Sequence, residues 1–230
     1  MNNLEEKLAL ANKLRESEDY GGSAKEFTEC LIGGIEDQNY RVQIHALCGH
    51  SLIYKILTRK KENATYKELT VSFCKEALSI LEAQQEQIDA HTQSIALSSY
   101  ADALLTTKQY SLALSYFEKS LKISPASVPE KGRLKAHIGT TKYLLGEKQD
   151  GIRSIEEGLQ DIRTGNMDEY NIRVWETGCL NGLAQIYLHE SDISKANEFI
   201  AESLKIATEH NLIIRKREAE DILSQIASRT

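Results

Sequence analysis

The chain has 230 residues, with 28 Lys and Arg against 34 Asp and Glu, so its formal net charge is −6. Apolar residues make up 41% and charged residues 27%, a composition typical of globular proteins that excludes disorder throughout. The acidic balance argues against general nucleic-acid binding, and no apolar run approaches the ~20 residues that cross a bilayer. Because the first residues are charged, we expect no export signal and no membrane contact, and therefore a cytoplasmic protein.

The predicted elements are all helices, because both prolines lie in one short segment and proline breaks helix interiors. We expect about eleven helices and no strand. In chain order, the sequence predicts one domain over residues 1–230 that consists of five helical hairpins and a capping helix. The approximate ranges are 4–37, 42–83, 94–127, 132–165 and 177–210 for the hairpins, and 214–228 for the capping helix.

The hairpins are predicted from a recurring order of small, large and turn residues. In the third hairpin a small Ala113 precedes Phe117 by one helical turn, and Pro125 closes the unit. Gly151 with Ile155 and Ala196 with Ile200 repeat this pair, which lies on one face of a helix. Small side chains let paired helices approach closely, and stacked neighbours cover the apolar face that one hairpin leaves open.

The second hairpin follows the pattern least well. Its helices are expected at about 42–57 and 64–83, separated by the polar loop 58–63 where a short turn is usual. The last helix carries an apolar stripe opposite a charged face, as a terminal cap requires. The stripe consists of Ala219, Ile222, Leu223 and Ile226.

This pattern resembles the tetratricopeptide repeat, in which small and large residues recur in a helix–turn–helix unit. The steps between equivalent leucines exceed the family's usual period of about 34 residues. The long hairpins are therefore similar to those of kinesin light chains and of bacterial peptide-sensing regulators. The family's tryptophan is missing from its usual place, and Trp175 lies just before the last hairpin. The resemblance implies a right-handed superhelical α-solenoid.

No catalytic, cofactor or metal site is predicted. His45, Cys48 and His50 are close in sequence, but no carboxylate nearby completes a ligand set. The four cysteines have no metal-ligand spacing and are expected to be reduced and packed. Glycines 151, 178 and 182 are interpreted as helix-packing residues. The basic clusters around Arg59 and Arg215 lack the interleaved aromatic residues of nucleic-acid sites, although either could contact an acidic partner.

The resemblance implies a concave groove, lined by the first helix of each hairpin, that binds peptides. Transfer of the family's spacing predicts the groove residues His50, Tyr54, Ser98, Ser99, Asp102, Arg133, His137, Thr140, Asn181, Gln185 and His189, with Gln43, Thr106 and Leu144 beside them. Some relatives grip a C-terminal carboxylate with a Lys-x3-Asn motif. Here Asn12 fits that motif, but Leu8 occupies the lysine position.

We therefore expect a non-catalytic scaffold or adaptor that binds a protein or peptide in this groove. The alternative is a peptide-sensing regulatory domain whose curvature changes when ligand binds. The sequence leaves the partner, the oligomeric state and the choice between groove and outer face open.

Overall fold

The computed structural model describes residues 2–166 and 169–229, which contain eleven α-helices and no strand. The predicted all-α helical-repeat fold is confirmed. The chain divides into two compact units, Met1–Pro125 and Ala126–Thr230. Three helical hairpins form the first unit, and two hairpins with a final helix form the second.

The helices pair in chain order as α1 with α2, α3 with α4, α5 with α6, α7 with α8 and α9 with α10. A single turn of 3₁₀ helix, Gln85–Gln87, follows α4. The second hairpin is longer than the sequence predicts at both ends of its first helix, because α3 continues through the basic residues to Lys60. The helix bounds are Asn2–Glu16 (α1), Tyr20–Glu36 (α2), Tyr40–Lys60 (α3), Ala64–Gln84 (α4), Ala90–Thr106 (α5), Tyr110–Ile123 (α6), Val128–Leu144 (α7), Lys148–Arg163 (α8), Tyr170–His189 (α9), Ile193–Glu209 (α10) and Ile213–Ala227 (α11).

One three-residue turn recurs between the helices. Its middle residue has a positive φ, and the amide N–H after it donates to the carbonyl five residues earlier, as in a Schellman motif. In the turn between α7 and α8 this residue is Gly146, and Glu147 N donates to Lys142 O at 3.0 Å. The same turn uses a non-glycine residue at positions 18, 38, 108, 191 and 211.

The two helices of a hairpin approach most closely at positions 26 residues apart in sequence. In the third hairpin Ser94 Oγ lies 2.8 Å from Ser120 Oγ, and each hydroxyl also reaches the other residue's carbonyl. In the fifth hairpin Ser203 Oγ lies 3.5 Å from Thr177 O. In the first, Cys30 Sγ lies 3.6 Å from Leu4 O. Small side chains at these positions let backbone and side-chain groups contact directly.

The closest approach is between α7 and α8, where glycines face each other at two levels. A β-carbon on Gly132 would lie 2.6 Å from Gly158 O, and one on Gly139 would lie 2.5 Å from Gly151 O. Both distances are far below van der Waals contact. The two backbones therefore touch along this seam, where Cα–H···O contacts replace side-chain packing.

Apolar side chains fill the space on either side of these approaches. The predicted small–large pairs Ala113 with Phe117 and Ala196 with Ile200 are fully buried. In the second unit, Ala219, Ile222 and Ile226 of α11 pack against a cluster from α9 and α10, so this helix caps the last hairpin as predicted. Leu223, which the sequence places on the same stripe, is 40% exposed.

No helix in the described part of the chain has the length and apolar character needed to cross a membrane.

The glycine seam predicts that Gly158→Ala destabilises the protein. The added β-carbon would lie 2.5 Å from Gly132 O, so the two backbones must separate. We expect a loss of about 1–3 kcal/mol of unfolding free energy, as for other overpacked sites. Chemical denaturation followed by circular dichroism measures it. Gly182→Ala in α9 is the matched control: its β-carbon meets no atom within 4 Å, and alanine is a better helix former by ~1 kcal/mol. If the two substitutions change the free energy of unfolding equally, the close backbone contact between α7 and α8 is contradicted.

Removal of α11 should expose the apolar cluster that it covers. A chain that ends at Asn211 loses the buried side chains of Ile222 and Ile226, each of which contributes about 1.5–3 kcal/mol on burial. Net stability of a domain is only about 5–15 kcal/mol, so we expect aggregation or a large fall in Tm. Size-exclusion chromatography and thermal melting test this. A truncated chain as soluble and stable as the parent would show that α11 is not a cap.

Candidate functional site

In the first unit, several predicted groove residues face the second helix of their own hairpin. The His50 ring stacks on Phe73 of α4 at a centroid distance of 4.8 Å and is only 6% exposed. Tyr54 stacks on the same phenylalanine at 5.8 Å. His50 is therefore buried between α3 and α4 and does not line an open groove, whereas Tyr54 is half-buried and its place in a groove stays a prediction.

Two polar side chains of the first unit, Ser98 and Gln43, are also internal. Ser98 is 5% exposed and donates to the carbonyl of Ile95 in its own helix. The buried amide of Gln43 donates to Gly34 O at 2.8 Å, and so joins α3 to α2. Thr106 donates to its own helix as well. The buried Ser98 and Gln43 therefore do not line an open groove, whereas Thr106 is half-buried and its place in a groove stays a prediction.

Two predicted residues, Ser99 and Asp102, lie on the side of α5 that faces α3. Ser99 hydrogen-bonds with the Cys48 thiol of α3. Asp102 forms an ion pair with Lys55, also of α3. The basic residues of this unit are similarly engaged, since Lys60 pairs with Glu18 at 2.9 Å. Asn12 of the possible carboxylate motif donates to Leu8 O within α1.

In the second unit, α7, α9 and α11 lie side by side and present one face, which we call the α9 face. It consists of Gly178 and Gly182 of α9, Arg133 and Trp175 on the α7 side, and Arg215 on the α11 side. The Arg133 guanidinium lies 5.8 Å from the centroid of the Trp175 ring, within cation–π range. The Arg215 guanidinium lies over Gly178, 3.4 Å from where a β-carbon would stand. Arg133 and Arg215 therefore lie beside the two glycines of α9, and the Arg215 guanidinium also donates to Glu218 at 2.7 Å.

Gly182 lies on this face, in the interior of α9, and no steric constraint within the described chain requires glycine there. A β-carbon at this position would meet no atom within 4 Å. Its φ is also not positive, since Gly146 is the only positive-φ glycine in the described residues. The prediction that Gly182 packs against a neighbouring helix is therefore wrong, whereas Gly151 does pack in this way.

The other predicted residues of the second unit divide between this face and the interior. His137 and Thr140 lie half-buried on α7, Leu144 is exposed at its end, and Gln185 is exposed on α9. Asn181 is 5% exposed and internal: it accepts from Ser203 Oγ at 2.6 Å and donates to the carbonyl of Arg215. Its role is to join α9, α10 and α11, so its assignment to a groove is wrong.

His189 lies in a polar cluster at the end of α9. Its Nδ1 is 3.0 Å from the hydroxyl of Tyr143, which also donates to the Glu190 carboxylate, and Lys148 donates to the same carboxylate at 2.9 Å. The two hydrogen bonds hold the pKa of Glu190 at about 2. Burial, together with the bond to Glu190, raises the pKa of Tyr143 to about 12. The cluster joins the turn after α7 to the end of α9.

A buried carboxylate joins α8 to α9 on the opposite side of the second unit. Glu176 is 3% exposed, and its two oxygens accept from Arg163 Nε at 2.8 Å and from Arg173 at 2.9 Å. Arg163 also reaches Glu202 of α10 at 2.6 Å. Two arginines compensate this buried charge, so the network holds three helices in register.

Two histidines in α3 are held neutral by burial. Burial, with Arg41 nearby, lowers the pKa of His45 to about 4, and burial also lowers the pKa of His50. In the described structure, His45 Nε2 and His50 Nδ1 are buried without a hydrogen-bond partner. Neither ring is placed with Cys48 as a ligand set, because His50 stacks on phenylalanine.

Sequence reasoning missed three members of the α9 face. Trp175 was visible only as a tryptophan outside its usual position, and Arg215 only as part of a basic run. Gly182 could not be distinguished from Gly151 by sequence, because both are glycines within helical patterns. The two glycines differ in what each one faces, and only the structure shows this.

The paired helices, recurrent turns and small-residue approaches define a tetratricopeptide-like helical repeat, and the predicted resemblance is confirmed at the level of fold. No known family model matches the sequence, and no curated protein matches it. The fold is therefore recognised from structure.

Solved structures with this fold include repeats related to kinesin light chains. Nearly identical TPR-like repeats of a candidate kinesin light chain from Podosopora anserina superpose with a TM-score of 0.56 at 11% identity, over 90% of this chain and 95% of that one. BtubC (BKLC) from P. vanneervenii gives a TM-score of 0.51 at 14% identity, over 91% and 92% of the two chains. A signal transduction ATPase with a tetratricopeptide repeat sensor from Pyrococcus horikoshii gives 0.52 at 17% identity, over 88% of this chain and 32% of that one.

The buried histidines predict that stability falls as the solution is acidified. The pKa of His45 is 6.5 in its ordinary state and about 4 when folded, so between these values the unfolded chain binds the proton more strongly. Stability is therefore complete above about pH 6.5 and decreases as the pH falls towards 4, by on the order of 2 kcal/mol. His50 acts in the same direction.

Urea unfolding at about pH 7.5 and about pH 5 measures this dependence. His45→Gln should reduce the difference between the two pH values. His210→Gln, at the end of α10, is the control and should leave the difference unchanged. If His45→Gln retains the parent's pH dependence, the assignment to His45 is wrong.

Proposed function

We propose that the chain is a non-catalytic, cytoplasmic scaffold that binds a protein or peptide partner on the α9 face. The observation that carries this proposal is Gly182. A glycine inside a helix costs about 1 kcal/mol relative to alanine. The glycines of the seam between α7 and α8 offset that cost by close packing within the chain, whereas Gly182 makes no such contact. Its missing side chain leaves space for a group from outside the chain.

The side chains around Gly182 indicate how such a partner is held. Arg133 and Arg215 lie on opposite sides of the two glycines of α9, and Trp175 offers an aromatic surface beside Arg133. Arginine and tryptophan are the residues that most often carry binding energy at protein interfaces. A segment that lies on the glycines would place its carboxylates or carbonyls near the two guanidinium groups.

The predicted groove residues contribute to this proposal unequally. Arg133, His137 and Gln185 remain candidates for contact, because they lie on or beside the α9 face. In the first unit Tyr54, Ser99 and Asp102 remain near an accessible surface, and each interacts with a side chain of a neighbouring helix. We therefore place recognition mainly in the second unit.

The experiment begins with identification of the partner by cross-linking and affinity capture from the native organism. The affinity of that partner is then measured by titration calorimetry with two variants. Arg133→Ala removes a charge-assisted contact worth about 1.5–3 kcal/mol, so binding should weaken about ten- to a hundredfold. Gly182→Leu fills the open space at that position and should weaken binding at least as much.

The stability of Gly182→Leu makes this test specific. Because the position has open space and leucine favours helix, the variant should fold at least as stably as the parent. A variant that is equally stable but does not bind separates a lost contact from a lost fold. Glu157→Ala, on the exposed side of α8, is the control. If the control weakens binding while Gly182→Leu and Arg133→Ala bind as the parent does, the partner occupies the other face.

The alternative function is a peptide sensor whose curvature changes on binding. It is supported by the similarity in fold to the repeat sensor of the Pyrococcus horikoshii ATPase. Small-angle scattering with and without the captured partner distinguishes the two functions. A scaffold keeps its radius of gyration when the partner's own contribution is removed, and a sensor changes it.

A further inference from the structure

Two cysteines face each other at the close approach of the second hairpin. Cys48 of α3 and Cys74 of α4 are 26 residues apart, the separation that marks closest approach in the other hairpins. The two thiols interact directly, and Cys74 Sγ also lies 3.0 Å from Ser51 Oγ, one helical turn after Cys48 on α3. We propose that this pair is a reversible modification site: the two thiols are converted to a disulfide that fastens α3 to α4 when the protein meets a low-molecular-weight disulfide.

The geometry of the third hairpin shows that this position suits a covalent bond. There the equivalent residues are Ser94 and Ser120, and their γ-oxygens lie 2.8 Å apart. Side chains at this position therefore point directly towards each other across the hairpin. A disulfide requires β-carbons about 3.5–4.5 Å apart and side chains with this mutual orientation. Two sulfur atoms in place of those oxygens need little backbone movement to reach bonding distance.

The polar groups around the pair distinguish the two thiols. Cys74 donates to Ser51 Oγ at 3.0 Å, and Ser51 in turn donates to Thr70 O at 2.8 Å. Cys48 hydrogen-bonds with Ser99 of α5 and is 9% exposed, whereas Cys74 is fully buried. The contact with Cys74 lowers the pKa of Cys48, and the same contact, together with burial, raises the pKa of Cys74. Cys48 is therefore the thiol that reacts first.

The reaction is two successive thiol–disulfide exchanges. The Cys48 thiolate attacks one sulfur of the small disulfide, which forms a mixed disulfide and releases one small thiolate. Cys74 then loses its proton to solvent and attacks Cys48 Sγ, which releases the second small thiolate. The protein loses two protons and two electrons, and the small disulfide is reduced to two thiols.

The other two cysteines lack this arrangement. Cys30 occupies the equivalent position in the first hairpin, but the residue across from it is Leu4. Cys179 lies in an apolar cluster of the second unit. Burial raises the pKa of Cys30 to about 11 and that of Cys179 to about 12, so both thiols stay protonated. They serve as internal controls for reactivity.

The test uses the native full-length chain, equilibrated with mixtures of reduced and oxidised glutathione. Free thiols are then alkylated under denaturing conditions, and the products are analysed by intact mass and peptide mapping. We expect the four free thiols to become two over a defined range of potential, with one internal bond mapped to Cys48 and Cys74. Cys48→Ser and Cys74→Ser should each abolish that bond, and Cys30→Ser and Cys179→Ser should retain it.

The parent chain alone decides the proposal, even where a variant folds poorly. Four alkylated thiols at every potential, or a bond mapped to another pair, would overturn it. Because the bond closes a loop of about 26 residues in the unfolded chain, the oxidised protein should also melt several degrees above the reduced protein. A lower Tm for the oxidised protein would show that the native hairpin does not accommodate the bond.

Discussion

The structure depends on how closely the two helices of each hairpin can approach. Each hairpin has an approach 26 residues apart in sequence, and in the fourth hairpin a second one lies 12 residues apart, at Gly139 and Gly151. Where the residues are serines, hydroxyls bridge the helices. Where they are glycines, the backbones touch. This distance fixes the rotation of each helix about its axis, and the rotation then decides which side chains are buried and which face the next hairpin.

This constraint explains why the fold is readable from sequence. The pairs Ala113 with Phe117, Gly151 with Ile155 and Ala196 with Ile200 are a small residue at an approach followed by the large residue that fills the gap beside it. A recurring chemical requirement leaves a recurring pattern, so the hairpins and the cap could be predicted. The recurrent turn was less visible, because a left-handed residue is glycine only at Gly146.

The functional face was harder to predict, because successive residues of a helix differ by about 100° in direction. Family spacing transferred to α3 selected His50 and Tyr54, which point at Phe73. The rotation of α3 turns both rings towards α4. In α7 the glycine seam sets the rotation, and there the transferred spacing selected Arg133, which does lie on the α9 face. To predict which residues of a helix are exposed, the rotation of the helix about its axis must be known. The contact with its partner helix sets that rotation.

The residues that stabilise the fold are different from the residues that are available to bind a partner. Buried polar groups such as Glu176 and Asn181 are satisfied by neighbouring helices, and their loss would disturb packing. Gly182 has the opposite property, since a side chain there would improve the helix and harm no internal contact. An alanine at position 182 would make the protein more stable, yet the residue is glycine. This agrees with a role for Gly182 in contact with a partner.

The repeated turn has a consequence for how such a chain can change in length. At six junctions a left-handed residue is followed by an amide N–H bonded to the carbonyl five residues back, as from Asp192 to Tyr187 at 2.9 Å and from Leu212 to Ala207 at 2.8 Å. The backbone turn between consecutive helices therefore has the same hydrogen bond and the same left-handed position at each of these junctions, whichever residues form it. Recombination between two such junctions would keep the turn geometry at the new junction. The turn therefore constrains the length of the array less than packing does, because each helix must still match the small residues of its hairpin partner.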